Sequence, residues 1–425
     1  MIASKAFGGK RYAVLGLARS GQSVVRCLWR SGASVVAWDD REEARMAIGD
    51  MAGLADPMEI DLSDFDAVVV SPGVPLNRHP IAGRAREAGV PVIGDIELFA
   101  QARPELPPHK VVGITGTNGK STTAALIHHI IKTAGTPALL GGNIGVPVLG
   151  EEPLDEGGVY VLELSSFQID LTQSLDCDVA ILLNITPDHL DRYDGFEEYA
   201  RSKARLFQMQ SDDRAKIIAI DDVASQAIAA TAKGKVIQVS AGGCMDQSGW
   251  PALQGPHNAQ NAVVAMRAAR ELGMSEEAIS QGLASFPGLP HRMERVADRN
   301  GVLYVNDSKA TNPTSTAPAL AAFPAIHWIL GGQAKTENLD PCKPHYGHVR
   351  AAYTIGEAGE MFANLLEPHM PVRNCIRLRD AVKLASDIAI PGETVLLSPA
   401  CASFDQYDDF EARGDDFRGI VGGLL

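Results

Sequence analysis

Val111-Val112-Gly113-Ile114-Thr115-Gly116-Thr117-Asn118-Gly119-Lys120-Ser121-Thr122-Thr123 is the stretch whose reading decides the fold. An apolar run of strand character enters a loop punctuated by Gly116 and Gly119. Ser121 and Thr122 then open a helix carried by Ala124, Ala125, Leu126, Ile127, Ile130 and Ile131, with Gly135 placed for a left-handed cap. A strand that feeds a glycine turn into a helix N-terminus gathers several N–H groups and the positive end of the helix dipole at one point. Glycines let a phosphate approach the backbone, Lys120 can reach β- and γ-phosphates, and the Ser121 or Thr122 hydroxyl can sit on magnesium. The register, T-G-T-N-G-K-S-T, is a variant of the common P-loop. It predicts a nucleoside triphosphate site on an α/β scaffold.

Upstream, to about Ile96, strands alternate with helices. Tyr12 to Gly16 is a strand, Leu17 to Gly21 a tight turn, Gln22 to Arg30 a helix, and Ala33 to Trp38 a strand ending in Asp39-Asp40. This βαβ unit resembles a dinucleotide fold, but Ala18 stands where the middle glycine belongs, so what it predicts is a polar-ligand crevice at the strand ends. Asp66 to Val74 adds a strand and a crevice loop. Gln101 to His109, with three prolines, reads as a linker.

Downstream of the P-loop, Gly141 to Gly145 reads as a turn. Gly158 to Glu163 is a buried strand finishing in a carboxylate, where a nucleotide-binding sheet places its magnesium-facing acid. Leu164 to Gln168 continues past that strand end with polar groups. Asp178 to Asn184 is a strand that delivers His189, which can serve a metal, a phosphate or the fold alone. Arg201 to Arg205 lies on a charged helix whose lysine, Lys203, reads as solvated by composition. His257-Asn258-Ala259-Gln260-Asn261 starts a helix ending at Gly273; Asn258 suits base or ribose recognition and equally an N-cap. Further on, strands at Val302–Val305, Ile326–Leu330, Val349–Ile355 and Thr394–Leu397 precede an amphipathic C-terminal helix, Asp409 to Leu425. Three of them end in polar, Gly- or Pro-bearing loops: 306–313, 331–335 and 398–405. The organisation is three consecutive α/β domains: 1–97 Rossmann-like, 98–288 a P-loop domain with a mainly parallel sheet, and 289–425 Rossmann-like.

Composition bounds the function. At 425 residues, 45% hydrophobic and 21% charged, the chain is globular in type, and a formal charge of -14 opposes a broad nucleic-acid or anionic-membrane surface. No apolar run reaches the roughly 20 residues of a membrane helix. Cys27, Cys177, Cys244, Cys342, Cys375 and Cys401 show no C-x-x-C pair or zinc spacing and read as reduced thiols of a cytoplasmic protein.

Taken together, T-G-T-N-G-K-S-T-T, E-L-S-S-F-Q at 163–168, N-x-T-x-D-H at 184–189 and H-N-x-x-N at 257–261 resemble the Mur ligase family, which builds the peptide stem of peptidoglycan, over essentially the whole chain. N-D-S-K-A-T-N at 306–312 and S-P-A-C-A-S-F-D at 398–405 resemble the member that adds D-glutamate to UDP-N-acetylmuramoyl-L-alanine. That resemblance implies an ATP-dependent carboxylate–amine ligase working through an acyl phosphate, and a monomer; water would destroy that intermediate, and ligand groups spread over three domains predict a site that closes by domain rotation.

It implies that Gly116, Thr117, Asn118, Gly119, Lys120, Ser121, Thr122 and Thr123 hold the ATP phosphates, joined by Asn258, Asn261, Arg292 and Asp307. Ser121 and Glu163 would share one magnesium ion. His189 and Lys203 would serve a second, the lysine as a carbamate. Arg19, Ser20, Asp39, Asp40, Gly73, Asn143 and Ser165 would face the UDP-linked substrate. Lys309, Thr311, Lys335, Ser403, Phe404 and Phe410 would form the D-glutamate pocket. In one departure, Gln333-Ala334 precede Lys335 where the family carries an acidic residue. The alternatives are a different stem ligase or folylpolyglutamate synthase, a nucleotide-switched binding protein, and an NAD-dependent oxidoreductase built on the first domain.

Overall fold

His109–Thr115 sits inside a six-stranded parallel sheet, between Val179–Leu182 and Gly158–Glu163. The computed structural model describes residues 1–240, 242 and 246–424, so Cys244 and Leu425, both read from sequence, lie outside the described residues. Val111, Val112 and Ile114 are fully buried because helices cover both faces of a parallel sheet, which removes any polar alternation. Gly113 has a packing reason: a Cβ there would come within 2.7 Å of Cys177 Sγ. Lys235–Val239 and Ala215–Ala219 extend one side of the sheet, and Ala138–Gly142 closes the other. Gly141 and Gly142 therefore belong to a strand, and the turn read from their glycines begins only at Asn143.

A second parallel sheet runs Gly53–Leu54, Ser34–Trp38, Arg11–Leu15, Ala67–Val70, Val92–Ile93. Its chain order reverses beside Arg11–Leu15, so the crevice opens at the residues that follow Leu15. The helix there spans Arg19–Arg30, three residues earlier than the sequence predicts, because Gly16 at φ 90° already makes the turn. Gly21 lets that helix approach: a Cβ on it would lie 1.9 Å from the Gly16 carbonyl oxygen.

The expected linker at 101–109 is shorter than its prolines suggest. Asp95–Ala102 is a helix, a 3-10 turn covers Arg103–Glu105, and the strand starts at His109. Apolar residues Leu98 and Phe99 of that helix share one buried cluster with Val14 and Val25 of the first sheet's region and with Tyr160 and Leu162 of the second. Two compact units result: Met1–Gly242 with Asn261–Leu283, and Gly243–Gln260 with Ala284–Leu425.

The second unit carries a third sheet, ordered Glu294–Arg299, Val302–Asn306, Thr394–Leu397, Ile326–Gly331, Val349–Ile355, Val372–Ile376. Only its first strand is antiparallel. The carboxyl ends of Val302–Asn306, Thr394–Leu397 and Ile326–Gly331 are neighbours, which brings their three polar loops to one edge. The C-terminal helix, Phe410–Gly422, buries Phe417, Ile420 and Val421 against this sheet.

Candidate active site

Sequence dictates the shape of the P-loop before any ligand is considered. Gly116 and Gly119 take φ of 149° and 83°, and a Cβ at Gly119 would meet Asn261 Oδ1 at 2.4 Å. The helix begins at Lys120, so the N–H groups of its first turn face the loop. Asn184, from the end of the neighbouring strand, braces the loop. Its carbonyl accepts from Thr117 N at 2.8 Å, its side-chain oxygen accepts from Asn118 N at 2.8 Å, and its amide donates to the Asn118 carbonyl at 3.1 Å. Asn261 Oδ1 accepts from Thr123 Oγ1 at 3.1 Å, which ties Asn261 to the helix that follows the glycine loop. Lys120 Nζ donates to the Gly116 and Thr117 carbonyls at 3.0 and 2.8 Å.

Lys203, expected to be solvated, is only 1% exposed. Its helix, Phe196–Gln208, turns it inward, where Nζ donates to the Gly116 carbonyl at 2.9 Å and lies 4.5 Å from the centre of the Tyr199 ring. Burial first, then the charge of Lys120, holds its pKa well below the ordinary lysine value. Glu163 is also 1% exposed, so this strand-end acid is held away from water. Oε1 accepts from Asn143 Nδ2 at 2.9 Å, while Oε2 is buried without a hydrogen-bond partner. A carboxylate oxygen kept from water and left unpaired is costly, unless a cation completes it. His189 has an exposed ring and a backbone at φ 51°, unusual for a side chain of this size. Among the described residues no group of three or more His, Cys, Asp or Glu side chains is placed to hold a metal ion. A cation here would draw on Glu163, a P-loop hydroxyl and phosphate oxygens.

In the first crevice, Asp39 is the organiser. Its carboxylate accepts from Leu17 N at 2.7 Å and from Arg41 N and Nε at 3.0 and 3.1 Å. Burial works to raise its pKa, but the Arg41 and Leu17 hydrogen bonds prevail and hold it below the usual carboxylate range. Arg19 donates to the Gly145 carbonyl at 3.1 Å, which joins this crevice to the Asn143 turn. Asp40 and Gly73 are exposed, and Ser20 is half-buried. Ser165 is the N-cap of a short helix and forms a capping box with Gln168, a structural role in addition to the one expected.

In the second unit, Asp307 Oδ2 accepts from Ser398 Oγ at 2.8 Å and Oδ1 from Met293 N at 3.1 Å. Burial nonetheless pushes its pKa up to about 7, against the opposing pull of these bonds and of Arg292. The folded state thus keeps a proton that the unfolded chain has released, and stability falls as pH rises from about 3.8 to about 7. Asp95, pushed up to about 6 by burial, acts with the same sign. Asp307→Asn is expected to flatten this fall: its melting temperature should exceed that of the wild type more at pH 8 than at pH 5, measured by calorimetry.

Lys309 Nζ lies 3.7 Å from the centre of the Phe410 ring, and Ser308 Oγ donates to the Phe410 carbonyl at 2.8 Å. Ser403 is buried, Phe404 and Lys335 are exposed, and Thr311 is half-buried on the same sheet edge. Gln333 and Ala402 exchange backbone hydrogen bonds of 2.9 Å, so the residue at the departure site pins the Lys335 loop to the Ser403 loop. Asn258 is no N-cap. It lies inside the helix and its amide donates to the Gln254 carbonyl at 3.0 Å. Sequence reasoning missed Asn184 as a brace, Tyr199, whose hydroxyl lies 3.2 Å from Thr117 Oγ1, and Arg413, whose buried guanidinium donates to Ser308, Cys401 and Ala402. Asn184 stood in a quoted motif, whereas nothing local marks Arg413.

Three family models match the chain: "Mur ligase MurD-like, N-terminal domain" over residues 10–94, "Mur ligase middle domain" over 114–252, and "Mur ligase, glutamate ligase domain" over 291–401. A UDP-N-acetylmuramoylalanine–D-glutamate ligase from Novosphingobium aromaticivorans is 64% identical, covering 100% of this chain and 97% of the relative. The enzyme of that name from Sphingopyxis alaskensis is 61% identical over the whole of both chains. Among solved structures, the UDP-N-acetylmuramate-alanine ligase of Thermotoga maritima superposes with TM-score 0.59 at 16% identity, covering 97% and 99% of the two chains. A ligase from Acinetobacter baumannii gives 0.62 at 18%, covering 92% and 90%. The structures match in fold. The chain belongs to the Mur ligase family.

Proposed function

We propose that this protein is an ATP-dependent ligase that joins D-glutamate to UDP-N-acetylmuramoyl-L-alanine in peptidoglycan synthesis. The observation that carries the reading is the buried, unpaired Glu163 Oε2, on the strand next to the one that feeds the glycine loop and the Lys120 helix. Full-length identity of 64% and 61% to relatives named for this reaction supports it.

In the proposed reaction the substrate carboxylate attacks the γ-phosphoryl group of ATP, the bond to the β–γ bridging oxygen breaks, and an acyl phosphate and ADP result. The amine of D-glutamate then attacks that carbonyl, and the tetrahedral intermediate expels phosphate. Lys120 exchanges two neutral carbonyl acceptors for the transferring phosphoryl oxygens, where its charge counts most. Glu163, with the hydroxyl of Ser121, would hold a magnesium ion that offsets phosphate charge. A second ion would be served by His189 and Lys203. Lys203 suits a carbamate because burial and Lys120 favour its neutral amine, the form that takes up carbon dioxide. Gly116–Thr123, Asn258, Asn261, Arg292 and Asp307 are proposed to hold ATP. Arg19, Ser20, Asp39, Asp40, Gly73, Asn143 and Ser165 are proposed for the UDP-linked substrate, and Lys309, Thr311, Lys335, Ser403, Phe404 and Phe410 for D-glutamate. The five described cysteines are free thiols, in keeping with action in the cytoplasm.

The test is incubation with ATP, magnesium and UDP-N-acetylmuramoyl-L-alanine, offering D-glutamate, L-glutamate and other stem amino acids separately. Mass analysis should find a linked product with D-glutamate. ATP cleavage that ignores the UDP-linked acceptor, or a product with a different amino acid only, would overturn the proposal.

A further inference from the structure

Phe167 and Arg192, neither of which has been given a role so far, lie in one continuous chain of contacts. Arg192 places its guanidinium carbon 4.1 Å from the centre of the Phe167 ring and donates from Nη2 to the Val74 carbonyl at 3.1 Å. Val74 ends the 71–74 crevice loop, which contains Gly73. The same junction is clasped from the other side, where Asn77 Nδ2 and Arg78 Nη2 donate to the Asp191 carbonyl at 3.0 and 3.1 Å. The Phe167 ring also meets His189 edge-on at 5.1 Å and stacks on Tyr193 at 5.9 Å with an interplanar angle of 11°. Tyr193 in turn donates to Asp170 at 2.8 Å and lies 3.4 Å from Ser202 Oγ, the residue before Lys203. A planar guanidinium suits this place: its face takes the ring while its edge still donates in plane, which an ammonium cannot reproduce.

We infer that Arg192 is a positioning residue that locks the crevice loop at 71–74 to the Phe167–His189 wall, so that the two ends of the UDP-linked substrate are held in one register. The inference rests on the proposed function, because that reading puts the nucleotide end at Gly73 and the reacting carboxylate near His189. Arg192 touches no substrate in this account. It acts through the Val74 carbonyl and the Phe167 ring.

The test compares wild type, Arg192→Met, Arg192→Lys, Phe167→Leu and the double variant Arg192→Met/Phe167→Leu. Binding of UDP-N-acetylmuramoyl-L-alanine is read by calorimetry without ATP, and KM and kcat are read for each substrate. Arg192→Met should weaken binding of the UDP-linked substrate by about tenfold, the scale of one lost stack and hydrogen bond, and raise its KM alike. The KM for ATP should stay within about twofold. Arg192→Lys should recover only part of the loss. The double variant should lose no more than the larger single, since both act through one contact. Unchanged binding in Arg192→Met, equal losses for all substrates, or losses that add in the double variant would overturn the inference. If Arg192→Met melts well below wild type, the decision passes to Phe167→Leu and Arg192→Lys, judged by the same selectivity for the UDP-linked substrate. Wild-type protein that binds no UDP-linked substrate would instead overturn the proposed function.

Discussion

Lys120→Ala is expected to lower kcat by about 10²-fold or more, the scale of removing one strong charge stabiliser from a developing anion. The side chain sits at the first residue of a helix whose N-terminus faces the loop, and it already bridges the Gly116 and Thr117 carbonyls. Its removal takes a positive charge from the proposed phosphoryl path and leaves the glycine-built loop in place. Asn184 and Asn261 brace that loop independently of the lysine. ATP should therefore still bind, measured by calorimetry with a non-hydrolysable analogue, while phosphate release collapses. Near-normal phosphate release would count against the P-loop as the transfer site.

Lys203→Met should be as damaging to turnover, by about 10²-fold, and should separate activity from stability. Burial disfavours the charged form of this amine and costs folding free energy, so an apolar side chain of similar length should hold or raise the melting temperature. Wild-type activity should fall in buffers stripped of carbon dioxide, and intact-mass measurement of fresh protein should show one added carbon dioxide that Lys203→Met lacks. A variant that melts far below wild type, or keeps most of its turnover, would contradict this role. Arginine at 203 should not restore activity, because a permanent cation cannot become a carboxylate-like ligand.

The P-loop was legible from sequence because all its parts are contiguous. Strand, glycines, lysine and hydroxyls follow one another in the chain, and their backbone geometry is local. Glu163 was legible for the same reason, as the last residue of a continuous apolar run. The helix at Arg19–Arg30 was read three residues short, since Gly21 looked like a turn residue and is instead a contact residue inside the helix. By charge pattern alone Lys203 reads as solvated. Its helix presents charges on several faces, and only the packing of Ser202, Lys203 and Leu206 against the sheet decides which face is inward.

What the chain's order of residues determined by itself was the α/β class, the glycine-bearing strand–loop–helix and the family, all encoded in short contiguous segments where backbone sterics and hydrogen bonding act locally. What only the tertiary structure decided was the state of particular side chains: the unpaired Glu163 oxygen, the neutral-leaning Lys203, the protonation of Asp307 near pH 7 and the Arg192 junction. Desolvation and long-range charge depend on neighbours dozens to more than a hundred residues away, and those neighbours are assigned by the fold.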